Sequence, residues 1–297
     1  MPFKHLGTIH VKGCIIIVYK LELSNIMTKY SKLTLPKLLS ESVKKYGNQN
    51  SLVFVGEDKY TYNQMGEDIL KLAHLLQLLG INKGDKVAIL STNMPNWGVA
   101  FFAISITGAI VVPILPDFHQ NEINSILEHS EAKILFVNEG LFRNTNQTTN
   151  ELVEHRILVD NFALIPESAK EDELKNLKSS LPEKVKDQVS VEVEEEDLAS
   201  IIYTSGTTGN SKGVMLTHKN LAWTAQQSYT LQNIKTSDRF LSVLPLSHTL
   251  ENTLSFLLPV KYGASVHYLR KPPVASVLLP AFKKVKPTIM LTVPLII

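Results

Sequence analysis

A single cysteine, Cys14, stands among 297 residues. It has no partner for a disulfide framework and fits a reducing cytoplasm. The nine histidines are scattered, with no pair at zinc-ligand spacing, so no metal site made by protein side chains alone is expected. Charge of one sign is not in excess either. A formal net charge of +2, with 20% charged residues, points to neither nucleic acid nor a strongly acidic partner. Long apolar runs are few. The run at 14–18 (CIIIV) is too short for a secretory core and is followed by Lys20 and Glu22. The run at 99–116 (VAFFAISITGAIVVPILP) approaches the roughly 20 residues that span a bilayer. Gly108 breaks it, however, and the β-branched VVPIL that follows is strand-like, so a buried helix feeding a buried strand is expected.

What remains is ordinary globular material, 44% hydrophobic, enough for one large or two medium domains. Strand and helix patterns alternate. The segment LPKLLSESVKKYG (35–47) reads as a helix with proline in its first turn and glycine at its end. Further helices are expected over 63–79, 97–107, 120–130, from 219, and over 249–262 and 273–285. Strands are expected at SLVFV (51–55), GDKVAIL (84–90), AIVVPIL (109–115), KILFV (133–137) and RILVD (156–160). Others are expected at LASIIY (198–203), VMLTH (214–218), RFLSVLP (239–245), ASVHYL (264–269) and TIMLTV (288–293). Continuous rather than alternating apolar strands imply an α/β fold, with a mainly parallel sheet covered on both faces. Residues 1–26 read as an unpatterned extension, with Met27 as an alternative start. A change to Lys, Glu and Ser between 166 and 197 marks a boundary, giving subdomains 27–185 and 186–297. The chain stops on an apolar upswing after Pro294, so it reads as cut.

The segment YTSGTTGNSKGVMLTH (203–218) crowds hydroxyls, glycines and one lysine between two strands. Glycines allow the backbone to approach a ligand closely, and successive N–H groups in such a turn form an anion-binding concavity. With Thr204, Ser205, Thr207, Thr208 and Ser211 as donors and Lys212 as a cation, a polyphosphate is the fitting ligand. Three other motifs fail. A P-loop needs a different lysine position, GxGxxG is absent, and Tyr203 stands where a nucleophile elbow needs glycine, which removes Ser205 as a covalent nucleophile.

This stretch resembles the phosphate-loop signature of the adenylate-forming (AMP-binding) superfamily. NMPNW (93–97), GAIVVPILP (108–116), LPLSH (244–248) and PTIMLTVP (287–294) are similar to other motifs of that superfamily, and LPLSHTLENT with GASVHYLRKPP is most similar to long-chain fatty acyl-CoA synthetases. The resemblance covers about 27–297. It implies the N-terminal domain of such enzymes, two mainly parallel sheets packed with helices, without the small C-terminal domain. It also implies a ligase that uses ATP, Mg²⁺ and coenzyme A. A fatty acid carboxylate would attack the α-phosphate to give an acyl-adenylate and pyrophosphate, and the thiol of coenzyme A would then displace AMP. Thr204, Ser205, Gly206, Thr207, Thr208, Gly209 and Lys212 would hold the β- and γ-phosphates, with Thr208 approaching Mg²⁺. His248 would orient the carboxylate and α-phosphate, unless it is a core histidine. Glu251 would either orient His248 or be solvated. Trp97 and Tyr203 read as packing residues, Lys271 as a surface charge, and Thr217 as the cap of a helix begun by His218 and Asn220. Contacts to adenine, ribose and magnesium that the superfamily places further along have no counterpart here, so the fragment is expected not to turn over and to expose an apolar edge at 293–297. Peripheral membrane contact stays open, although no basic amphipathic helix argues for it. The alternatives are an amino-acid- or aryl-activating ligase and a non-catalytic nucleotide-binding protein.

Overall fold

The computed structural model describes residues 4–11, 14–20, 32–185, 191–204, 212–230 and 232–293. Two units separate, Met1–Lys32 and Leu33–Ile297. In the first, β1 (Lys4–Val11) and β2 (Cys14–Lys20) pair as an antiparallel hairpin, where the sequence suggested no element.

The second unit opens with α1 (Leu35–Tyr46), capped by the Thr34 hydroxyl, which accepts from the Lys37 amide. Strand β3 (Leu52–Phe54) and α2 (Tyr62–Leu78) follow. Then come β4 (Lys86–Leu90), α3 (Pro95–Ile106), β5 (Ile110–Ile114), α4 (Gln120–Ser130) and β6 (Ala132–Val137). A short α5 (Gln147–Leu152), β7 (His155–Leu158) and β8 (Ala163–Ile165) lead to the antiparallel pair β9 (Leu198–Thr204) and β10 (Lys212–Thr217). The remainder is α6 (His218–Gln227), β11 (Arg239–Ser242), α7 (Thr249–Glu251), a π-helical stretch Asn252–Leu257, α8 (Leu258–Tyr262), β12 (Ser265–Tyr268) and α9 (Ala275–Val285).

A seven-stranded sheet runs β10-β9-β5-β4-β6-β7-β8, and a three-stranded sheet runs β11-β12-β3. Strands from both sides of residue 185 enter each sheet. The central neighbours are parallel, and the antiparallel pairings lie at the two edges of the larger sheet. Alternation along the strands explains the layers. Val87 and Ile89 of β4, with Ile134 and Phe136 of β6, face a core shared with α2 and α3. Ala88, Leu90, Leu135 and Val137 face the opposite core against Ile123, Ile126 and Leu127 of α4. Both faces are therefore dry, which is why these strands read as continuous apolar runs.

Helix α3 lies between the two sheets, and this accounts for its apolar character all round. Residues 97–105 are buried, and the core they join also contains Leu52, Phe240, Val266 and Tyr268 of the smaller sheet. Trp97 stacks on Phe101 (centroids 5.4 Å apart), and Phe256 meets both edge-on. Gly108, at φ +74°, turns the chain from α3 into β5, a left-handed conformation that suits glycine. The long apolar run is thus an internal helix and strand. Among the described residues, no helix is long and apolar enough to cross a membrane.

One expected strand is absent. TIMLTV (288–293) makes a single parallel bridge, Ile289 to Phe240, rather than a ladder. The start of the segment is held by the Thr288 amide donating to the Arg239 carbonyl and the Leu241 amide donating to the Ile289 carbonyl, while the Arg239 guanidinium donates to the carbonyls of Val285 and Lys286 just before it. Residues 290–293 have no partner strand among the described residues. Pro294 to Ile297, most of the apolar edge expected at the end of the chain, lie outside the described residues.

Candidate functional site

Two features converge on the carboxyl ends of the parallel strands. The first is the arm formed by β9 and β10. Its ladder runs from Leu198↔Thr217 to Thr204↔Lys212, so the two ends of the glycine-rich segment emerge side by side. Thr204 and Lys212 are both exposed there. Ser205, Gly206, Thr207, Thr208 and Gly209 lie outside the described residues. The two strands expected to frame the segment are present, and they pair antiparallel.

The second feature is a cleft of about 410 Å³. It is lined by residues that follow β4 (Thr92, Asn93), β5 (Pro116, Asp117), β11 (Val243, Leu244) and β12 (Arg270, Lys271). Strand order reverses at β4, because β5 lies on one side and β6 on the other. Ligands of open α/β sheets bind in the crevice outside such a switch point. Leu244, Leu269, Pro272 and Pro273 make the wall largely apolar, while Arg270 and Lys271 supply positive charge. That chemistry suits a ligand with an apolar part and an anionic group. Arg270 is fixed twice: it lies over the Phe54 ring, 3.9 Å from the centroid, and pairs with Glu57.

Beneath the cleft runs a polar chain. The Asn93 side chain donates to Ser242 Oγ (2.9 Å) and to the Leu244 carbonyl (2.6 Å), and its oxygen accepts from the Leu246 amide (2.9 Å). Ser242 Oγ donates onward to Glu251 Oε1 at 2.7 Å. One asparagine in the connection after β4 therefore holds the loop that leads from β11 to His248. Glu251 is fully buried, and this overturns both of its expected roles: it is neither solvated nor engaged with His248. Burial raises its carboxyl to about 7, against the lowering effect of the Ser242 hydrogen bond. Its Oε2 has no partner among the described residues. Asn93, Ser242 and Arg270 were missed from sequence, although Asn93 sits inside the NMPNW motif.

His248 is exposed and stands at the N-cap of α7, so the core-histidine reading is excluded. Thr217 caps α6 through the Asn220 amide, and Asn220 returns the bond to the Thr217 amide, as expected. His218 is buried, its Nδ1 accepting from the Leu35 amide at 3.3 Å, and burial lowers its pKa to about 4. It is neutral and structural at physiological pH. Trp97 is a packing residue and Lys271 is exposed. Tyr203 is buried but also carries a hydrogen bond, taken up below.

The architecture and site define a class. A family model described as AMP-binding enzyme matches residues 39–297, and the chain belongs to that family. Its relatives sharpen the comparison. It is 28% identical over 277 residues to the long-chain-fatty-acid–CoA ligase ACSBG2 of Homo sapiens, a match covering 88% of this chain and 41% of the human protein. It is 29% identical over 287 residues to the chloroplastic long-chain-fatty-acid–acyl-carrier-protein ligase AEE15 of Arabidopsis thaliana, covering 88% of this chain and 38% of that protein. The crystal structure of a long-chain-fatty-acid-CoA ligase (FadD1) from Archaeoglobus fulgidus superposes with a TM-score of 0.76 at 27% identity, covering 90% of this chain and 53% of that one. The matches span about two fifths of the two curated ligases and about half of the FadD1 chain. The α/β fold with parallel strands packed by helices is that of acyl-CoA ligase N-terminal domains.

Proposed function

We propose that this chain supplies the phosphate-binding part of a ligase that joins a long-chain fatty acid to coenzyme A, using ATP and passing through an acyl-adenylate. The observation carrying this reading is the exposed pair Thr204 and Lys212 at the mouth of a hydroxyl- and glycine-rich hairpin, within a chain matched by the AMP-binding family over residues 39–297. Lys212 supplies a mobile cation for the outer phosphates, and Thr204 with Ser205, Gly206, Thr207, Thr208 and Gly209 supplies neutral donors. Phosphoryl chemistry of this kind depends on positioning and charge stabilisation more than on a protein nucleophile, which agrees with the exclusion of Ser205 from that role. Magnesium, a hard cation commonly bound through substrate phosphates, would arrive on the nucleotide near Thr208. His248, exposed beyond the loop that Asn93 holds, orients the carboxylate towards the α-phosphate. The fatty-acid assignment draws on the named relatives and on the apolar wall of the cleft.

The test is fatty-acid-dependent exchange of pyrophosphate into ATP by the full-length product of the gene. Exchange is expected with long-chain fatty acids and not with amino acids or aryl acids. Lys212→Ala should lower this half-reaction by roughly 100-fold while thioester formation from supplied acyl-adenylate continues. A properly folded protein with no exchange on any carboxylate would sink the reading. Equal loss in both half-reactions would remove Lys212 from its role.

A further inference from the structure

The β9–β10 arm forms one edge of the larger sheet. Strand β5 pairs with β9 at one position, Val111↔Ser200, reinforced by Ser200 Oγ donating to the Val111 carbonyl at 3.0 Å. Beyond Ser200, the ladder partners of β9 come from β10 alone, and Val214 and Met215 of β10 are exposed. The outer strand β10 has its ladder partner in β9 alone, so the lie of β9 sets where Thr204 and Lys212 stand.

Near its far end one side chain reaches back. Tyr203 is 4% exposed and packs into the apolar layer under α4. Its hydroxyl lies 2.7 Å from Nδ1 of His129, in the last turn of α4, and the two rings meet edge-to-face at 5.7 Å. On the other strand the partner of Tyr203 is Gly213, next to Lys212. A Cβ at Gly213 would lie 2.9 Å from Ile201 Cγ2 and 3.4 Å from the Tyr203 ring, so only glycine lets β10 close this tightly over the tyrosine. The result is a continuous path of contact: His129, Tyr203, Gly213, Lys212.

From this path we infer that His129 is a positioning residue for the phosphate-binding arm, acting through the hydroxyl of Tyr203. The inference rests on the function proposed above. His129 itself is exposed, so its replacement leaves the core intact. His129 lies outside the glycine-rich motif, 74 residues from Tyr203, which makes the tether a feature of tertiary structure.

The test uses the full-length product of the gene with Tyr203→Phe, which removes one oxygen, and His129→Phe. Each should raise the KM for ATP about five-fold, the order expected for one hydrogen bond, with kcat and the KM for carboxylate unchanged. The double variant should be no worse than either single one, because both remove the same bond. His129→Asn, whose amide can stand where Nδ1 stood, should restore the wild-type value. An unchanged ATP KM, additive effects, or an equal rise in the carboxylate KM would each overturn the inference. Amide hydrogen exchange over 198–217 separates the tether from the proposed function. Faster exchange there in both variants, with α2 and α3 unchanged, supports the tether even if the wild type activates no carboxylate. Unchanged exchange in both variants overturns it.

Discussion

Helix α3 with β5 and the β9–β10 arm are close neighbours in the fold but opposites in construction. The first is buried from Trp97 to Ser105 and through every residue of the strand. It is held by dispersion and by the removal of apolar area from water, spread over many contacts. The arm has an exposed outer strand and joins its sheet through β9, by the Val111–Ser200 pairing and the buried Ala199 and Tyr203, with a tyrosine–histidine contact near its far end. The first region carries stability; the second presents polar groups that a dry core could not tolerate unpaired. Activity and stability should therefore respond to different residues.

The largest effect belongs to the buried region. Phe102→Ala should cost about 3–5 kcal/mol of unfolding free energy by urea titration, because Phe102 is fully buried on α3 against Phe256. A loss below about 1 kcal/mol would mean that this layer repacks freely and the contrast fails.

Next is Glu251, where the two kinds of construction meet. Its carboxyl binds a proton more tightly in the folded state, about 7 against an ordinary 4.5. Its contribution to stability is present below pH 4.5 and is lost as pH rises through 7. His218 and His267, lowered to about 4, act oppositely: their neutral folded forms lose stability as pH falls from 6.5 towards 4. Both histidines are common to wild type and Glu251→Gln, so the difference between the two proteins isolates Glu251. Glu251→Gln should gain on the wild type between pH 4.5 and 7.5, by up to about 3 kcal/mol. A pH-independent difference would show that the buried carboxyl keeps an ordinary proton affinity.

Asn93→Ala removes three hydrogen bonds and strands the Leu246 amide, so about 2 kcal/mol should be lost in thermal or urea unfolding. The same variant should raise KM more than Phe102→Ala does, because Asn93 lines the cleft. Smallest of all is Lys212→Ala. Its side chain is exposed on the arm, and its stability change should stay within about 0.5 kcal/mol while adenylation falls steeply. Loss of stability comparable to that of Asn93→Ala would blur the division between the two regions.

Most elements were legible in the sequence because local patterns carry them. The stripe of Met65, Ile69, Leu72 and Leu76 marks α2, and Gly108 marks the break between α3 and β5. The edges were less legible. Strand β8 is three residues long, and α5 (QTTNEL) has no apolar stripe; only the Asn146–Thr149 capping pair announces it. TIMLTV has strand composition, but pairing depends on a neighbour that composition cannot supply. The hairpin's chemistry could be read from its hydroxyls, glycines and lysine. Asn93 could not be assigned to the loop before His248, nor His129 to Tyr203, because those partners lie about 150 and 74 residues apart.

By itself the sequence determined the alternation of helix and strand, the burial of α3 and the hydroxyl- and glycine-rich composition of residues 203–213. Each of these is a property of neighbouring residues, set by periodicity, backbone freedom and side-chain chemistry. Only the tertiary structure decided which strands adjoin, and hence that Glu251 is dry, that Asn93 ties the two sheets together and that the arm leans on His129. Those outcomes follow from strand order and register, which bring distant residues within hydrogen-bonding range and settle whether water reaches them.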